Sequence, residues 1–188
     1  MVSIMSLWLP ILLSAVFVFA ASSVIHMFLS YHFNDFKKTP QEDKLMDAVR
    51  SLNIPPGEYM IPCATDHAAR KAPEFQEKVK KGPSFMLTVW GGDMTASMGK
   101  NLAMWFAYSI VVGIFAAYVA GRALAPGAHY LAVFRFVGVT AFMGYSVAKW
   151  QDSIWYQRSW ATTFRNTFDG LVYGLLTAGT FGWLWPEM

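Results

Sequence analysis

Apolar and polar positions divide this chain into four long apolar runs and one polar stretch. The runs cover roughly Leu7–Leu29, Leu102–Gly121, Tyr130–Ala148 and Thr167–Trp185. Each is close to the about 20 apolar residues that cross the hydrocarbon of a bilayer as a helix. The pattern predicts an all-α membrane fold: a four-transmembrane-helix bundle. The first run reads as a retained helix and not as a cleaved leader. No Lys or Arg precedes it, and Ala20-Ala21-Ser22-Ser23 is only a faint cleavage cue.

The polar stretch gives a second, smaller layer. Thr39-Pro40-Gln41-Glu42-Asp43 offers a cap, a first-turn proline and early acids, predicting a helix through about Leu52. Asn53-Ile54-Pro55-Pro56-Gly57 ends it. Glu58–Pro62 and Phe85–Trp90 are β-prone runs able to pair, and Pro73 to about Lys81 reads as a second helix. Gly91-Gly92-Asp93 breaks the chain before the second span. The resulting organisation is transmembrane helix 1 over residues 1–32, a small α+β cytoplasmic insert over 33–98, and transmembrane helices 2–4 over 99–188. The insert's apolar residues (Leu45, Met46, Val49, Tyr59, Ile61, Phe75, Val79, Phe85, Leu87, Val89) are too few for a robust core, so it is expected to lean on the membrane surface or a partner.

Small residues recur every fourth position in two of the runs, the spacing of close helix–helix contact in lipid. Ser109, Gly113, Ala117 and Gly121 form one stripe, and Gly170, Gly174, Ala178 and Gly182 another. An offset of 65 maps Tyr108, Ser109, Gly113 and Ala117 onto Tyr173, Gly174, Ala178 and Gly182, with Asn101 on Asn166 and Tyr118 on Trp183. A weaker offset of 124 sets Ser14 on Gly138 and Ser22 on Ser146. Two readings stand: two repeated helical hairpins, the first carrying the insert, or the common abundance of small residues in membrane helices. In either case the second stripe meets either the first stripe within the chain or a second copy of the protein, and the pairing within the chain is the favoured expectation.

Of the 188 residues, 55% are hydrophobic and 14% charged, against about 25% charged in a soluble domain. Ten Lys and Arg lie from Lys37 to Lys100, and Lys149, Arg158 and Arg165 follow the third run; only Arg122 and Arg135 lie on the other side. Thirteen against two predicts a cytoplasmic insert and both termini outside. A net charge of +3 is too small to argue for nucleic acid. The lone Cys63 excludes an intramolecular disulfide.

This topology brings His26, Asn101, Lys149, Asn166 and Asp169 toward the cytoplasmic ends of the helices, with Lys100 and Asp152. They form a candidate polar cluster with two readings. Functionally, His26, Asp169 and Lys149 line a vestibule, bind a lipid headgroup or pass protons. Structurally, Asp169 sits near a helix N-terminus, where its charge is favoured, and pairs with Lys149, Arg165 or Lys100. Trp8, Trp105, Trp150, Trp155, Trp160, Trp183 and Trp185 fall near predicted boundaries as an aromatic belt, with Trp150 to Trp160 an interfacial segment.

No metal site and no cofactor are expected. His26 and His32 are six apart, about 240° around a continuous helix, which does not suit a haem. Cys63 and His67 with Asp66 give too few ligands for a metal. No phosphate loop, dinucleotide fingerprint, nucleophile elbow or HExxH occurs, so no catalytic residue is assigned.

Ala125-Pro126-Gly127-Ala128-His129-Tyr130, continuing to Phe136, and Asp169 to Pro186 resemble stretches of small four-span bacterial membrane proteins without assigned activity. The resemblance implies a multi-pass protein of the bacterial inner membrane and transfers no site residue. The expected function is an accessory, assembly or scaffolding subunit that associates with other membrane subunits or itself. The alternative is a small oligomeric transporter or channel, and a membrane enzyme or redox carrier is a third class.

Overall fold

The computed structural model describes residues 1–92 and 96–187, so Asp93 of the predicted chain break lies outside them. The chain divides into two units, one of Met1–Lys37 with Gly99–Met188 and one of Lys38–Met98. Residues 33–37, grouped with the insert on sequence, belong to the first unit.

In the first unit, a 3-10 turn over Ile4–Leu7 leads into α1, Trp8–Phe28. Pro10 lies in the first turn, where the missing N–H has no partner to lose. Leu29 turns extended (φ −95°, ψ 125°), and Ser30–His32 form a short 3-10 turn, so the helix does not continue to His32. Helix α5 covers Met98–Ala123 and α6 Tyr130–Tyr145, the latter capped by His129, whose Nδ1 accepts from the Leu131 amide at 3.2 Å. A 3-10 turn over Val147–Lys149 joins α6 to α7, Trp150–Tyr156. Gln157 then takes the left-handed conformation (φ 57°) and reverses the chain into α8, Trp160–Trp183.

Three helical stretches are long and apolar enough to cross a membrane: Ile4–Phe28, Met98–Ala123 and Tyr130–Tyr156. Only 33%, 28% and 28% of their most apolar stretches are buried, which leaves a broad apolar surface for lipid. Helix α8 is of similar length but carries Arg165, Asn166, Asp169 and five threonines. Three of its hydroxyls are satisfied within the helix: Thr167, Thr177 and Thr180 each donate to a carbonyl one turn back at 2.8 Å.

Helix α8 packs against both α6 and α1. The core has two clusters, one around Leu7, Ala116, Val137 and Phe181 and one around Val18, Ala141, Tyr145 and Tyr173. The small-residue stripes are largely buried, but their glycines do not face each other as expected. A side-chain carbon added at Gly113 would meet Ile11 of α1 at 3.3 Å, and one at Gly121 would meet the Val2 carbonyl at 2.7 Å. One at Gly174 would meet the Phe142 amide at 3.2 Å and the Gly138 carbonyl at 3.3 Å, while Gly170 faces Ser146 and Gly182 faces Tyr130. The α5 stripe thus receives α1 and the α8 stripe receives α6. Spacing identifies a face able to approach another helix closely, but not which neighbour fills it.

One end of this unit is tied by both chain ends. The Val2 amide donates to the Gly121 carbonyl at 2.8 Å. Trp185 Nε1 donates to the Ala125 carbonyl at 3.0 Å, and the Gly127 amide to the Pro186 carbonyl at 2.8 Å. Gly127 has φ 72°, which glycine adopts without strain. Trp185 is therefore a buried bracing residue and not part of the aromatic belt. Trp105 is also braced, its Nε1 donating to Ser22 Oγ at 2.8 Å.

The second unit contains α2 (Glu42–Ser51), β1 (Gly57–Ile61), α3 (His67–Lys71), α4 (Pro73–Lys81) and β2 (Phe85–Val89). The strands pair antiparallel from Gly57↔Val89 to Ile61↔Phe85, as the β-prone runs predict. Thr39 does not cap α2, which starts three residues later at Glu42. No described residue of Lys38–Met98 is buried, so this unit has secondary structure without a core of its own.

Candidate functional site

A helix interior is an unusual place for an acid in this bundle. Asp169 is 2% exposed and stands nine residues into α8, about 13 Å from its start. The helix begins at Trp160 and not near Thr167 as expected, so the N-terminal dipole, which fades within a turn, does not stabilise this carboxylate. Side chains do so instead. Tyr31 Oη donates to Asp169 Oδ1, and His32 Nε2 lies 2.8 Å from Asp169 Oδ2. The expected pairing of Asp169 with Lys149, Arg165 or Lys100 is replaced by these two residues.

The break at Leu29 produces this arrangement. By ending α1, it lets the Ser30–His32 turn bring two consecutive side chains under α8. The 240° separation of His26 and His32 holds only for an unbroken helix; in the folded chain their rings are 4.6 Å apart. The Tyr31 and His32 rings are 4.4 Å apart.

The network continues beyond His32. Its Nδ1 lies 2.7 Å from Asp35 Oδ2, and Arg165 Nη1 donates to Asp35 Oδ1 at 2.7 Å. His32 is thus held between two carboxylates. Each ring nitrogen faces one carboxylate oxygen. Burial alone would raise the Asp35 carboxyl, but donation from His32 and Arg165 outweighs it and holds the group below the usual carboxylate range. Burial, then the bond to Asp169, pushes the Tyr31 phenol above its usual range, so it remains a donor.

No protein-family model, curated protein or solved structure matches the chain. The site is therefore read on its own geometry.

Of the candidate polar cluster, the fold unites His26 and Asp169 and leaves the others outside their contacts. Asn166 donates to the Thr162 carbonyl of its own helix at 2.9 Å. Asn101 is exposed in the first turn of α5. Lys149 is exposed in the turn after α6 and has no ion pair within 4.0 Å among the described residues. Tyr31, His32, Asp35 and Arg165 are the site residues that sequence reasoning missed. The available signal was Asp169 itself, since a carboxylate deep in an apolar helix requires donors.

Two neighbouring features complete the description. One turn beyond Asp169, the buried Tyr173 hydroxyl has no hydrogen-bond partner among the described residues. Tyr145 makes edge contacts with Tyr173 and Tyr108, at ring separations of 5.5 and 5.9 Å. Those two tyrosines are the pair related by the offset of 65. In the second unit, Asp66 caps α3 by accepting from the Ala69 amide at 2.7 Å, and Cys63 is exposed.

Proposed function

We propose that this chain is a non-catalytic accessory, assembly or scaffolding subunit of a larger complex in the bacterial inner membrane. It crosses the bilayer four times with both termini outside. The observation that carries this reading is the coreless second unit. Lys38–Met98 forms three helices and a hairpin yet buries none of its described residues, while Leu45, Met46, Leu52, Phe85 and Met86 stand exposed. Ordered elements gain little from one another without burial, so the missing cover is supplied by a partner subunit.

Helix α8 and the charge distribution support this topology. The helix's 24 residues reach about 36 Å, enough to cross, and Arg165, Asn166, Asp169 and three of its threonines are bonded within the bundle, as lipid requires. The thirteen-to-two distribution of basic residues favours this orientation. The full engagement of Asp169 weighs for a structural role over transport, because a permeation pathway needs polar groups free to exchange partners.

Extraction from the native membrane into nanodiscs through a terminal tag, followed by native mass measurement, tests the proposal. Stoichiometric foreign subunits that dissociate when Phe85 and Met86 are replaced by serine are expected. A homo-oligomer alone would overturn the reading and make flux measurements the next step.

A further inference from the structure

We propose that His26, His32 and Asp169 form a binding site for one divalent transition-metal ion of zinc-like preference. The inference stands independently of the accessory role. One ligand atom from each residue lies within 4.8 Å of the other two. Two ligands about 2.05 Å from a tetrahedral ion stand about 3.3 Å apart. The His32–Asp169 separation of 2.8 Å therefore needs to open by only about 0.5 Å for an ion to replace the shared proton.

The surrounding residues have the arrangement that metal-binding histidines use. A ligating imidazole donates its remote N–H to a carboxylate, which fixes the ring and directs the other nitrogen at the ion. His32 Nδ1 faces Asp35 at 2.7 Å, and Arg165 anchors Asp35 in turn. Tyr31 holds the second Asp169 oxygen, which leaves Oδ2 as the coordinating atom.

The donor set selects the ion. Two imidazoles with one carboxylate suit zinc and its first-row neighbours better than calcium or magnesium, which take oxygen ligands. Binding releases the Nε2 proton of His32 to solvent. His26 is exposed, which leaves a route of entry, and three protein ligands leave the fourth position open.

His26 also makes the proposal decidable. It has no hydrogen bond among the described residues, so a purely structural network is indifferent to it. The full chain, carrying a tag without histidine, is stripped with chelator in detergent and titrated with Co²⁺, then Zn²⁺. The expected result is one Co²⁺ per chain with visible d–d absorption, displaced by Zn²⁺. His26→Gln should lower affinity at least tenfold while the metal-free unfolding temperature stays unchanged. Asp35→Asn should lower it by about 10–100-fold, the usual loss of an outer-shell partner. The Cys63→Ala/His67→Ala variant should bind as the parent does. Absence of stoichiometric uptake, equal uptake by His26→Gln, or loss that follows Cys63 and His67 would each overturn the proposal.

Discussion

His32 Nε2 stands 2.8 Å from Asp169 Oδ2 although 137 residues separate them. This contact joins the turn after α1 to the interior of α8. Removing the carboxylate leaves a half-buried imidazole and a phenol without their acceptor. Breaking one side of a buried pair costs about 3–5 kcal/mol. Asp169→Ala should therefore lower the thermal unfolding temperature in detergent strongly, and a loss below about 1 kcal/mol would show that the network does not support the fold.

The two small-residue stripes should act independently. Gly113→Leu disturbs the contact with Ile11, and Gly174→Leu the contact with Phe142 and Gly138. Each should cost about 1–3 kcal/mol by overpacking. Because the faces have different neighbours, the double variant should equal the sum of the singles within about 0.5 kcal/mol. A larger coupling in equilibrium unfolding would restore the stripe-on-stripe arrangement. Gly99→Ala, with nothing within 4 Å of the added carbon, serves as the neutral control.

Tyr173→Phe should be neutral or stabilising. The hydroxyl is buried without a partner, and an unsatisfied buried group costs about 1–3 kcal/mol. Destabilisation beyond about 1 kcal/mol in the same unfolding measurement would require a partner for that hydroxyl.

The separate fragment of residues 38–98 should lack a cooperative thermal transition by far-ultraviolet circular dichroism. None of its described residues is buried, so little hydrophobic stabilisation offsets the entropy of ordering it. A sharp, reversible transition of the fragment would contradict this and weaken the case for a covering partner.

Local signals were legible in this sequence, and long-range pairings were not. Pro73 and the closing lysines mark α4, and the β-prone runs mark β1 and β2, because caps, propensity and alternation act over a few residues. The apolar runs likewise mark α1, α5 and α6. What failed depended on events between distant segments. The Leu29 break moves His32 beside His26, and no periodicity argument that assumes a continuous helix includes it. The early start of α8 changes Asp169 from a terminal acid into an interior one. Helix-face spacing could identify Gly174 as a contact residue, but its neighbour on α6 is decided only when the bundle closes.

Asp169 also comes late in translation. A growing chain carries Tyr31, His32 and Asp35 long before the carboxylate that receives the first two has been made, because α8 follows α1, α5, α6 and α7 in the chain. The contact is thus a mark that α8 has been made and has joined α1. A product that stops before α8 leaves the polar turn after α1 without its receptor.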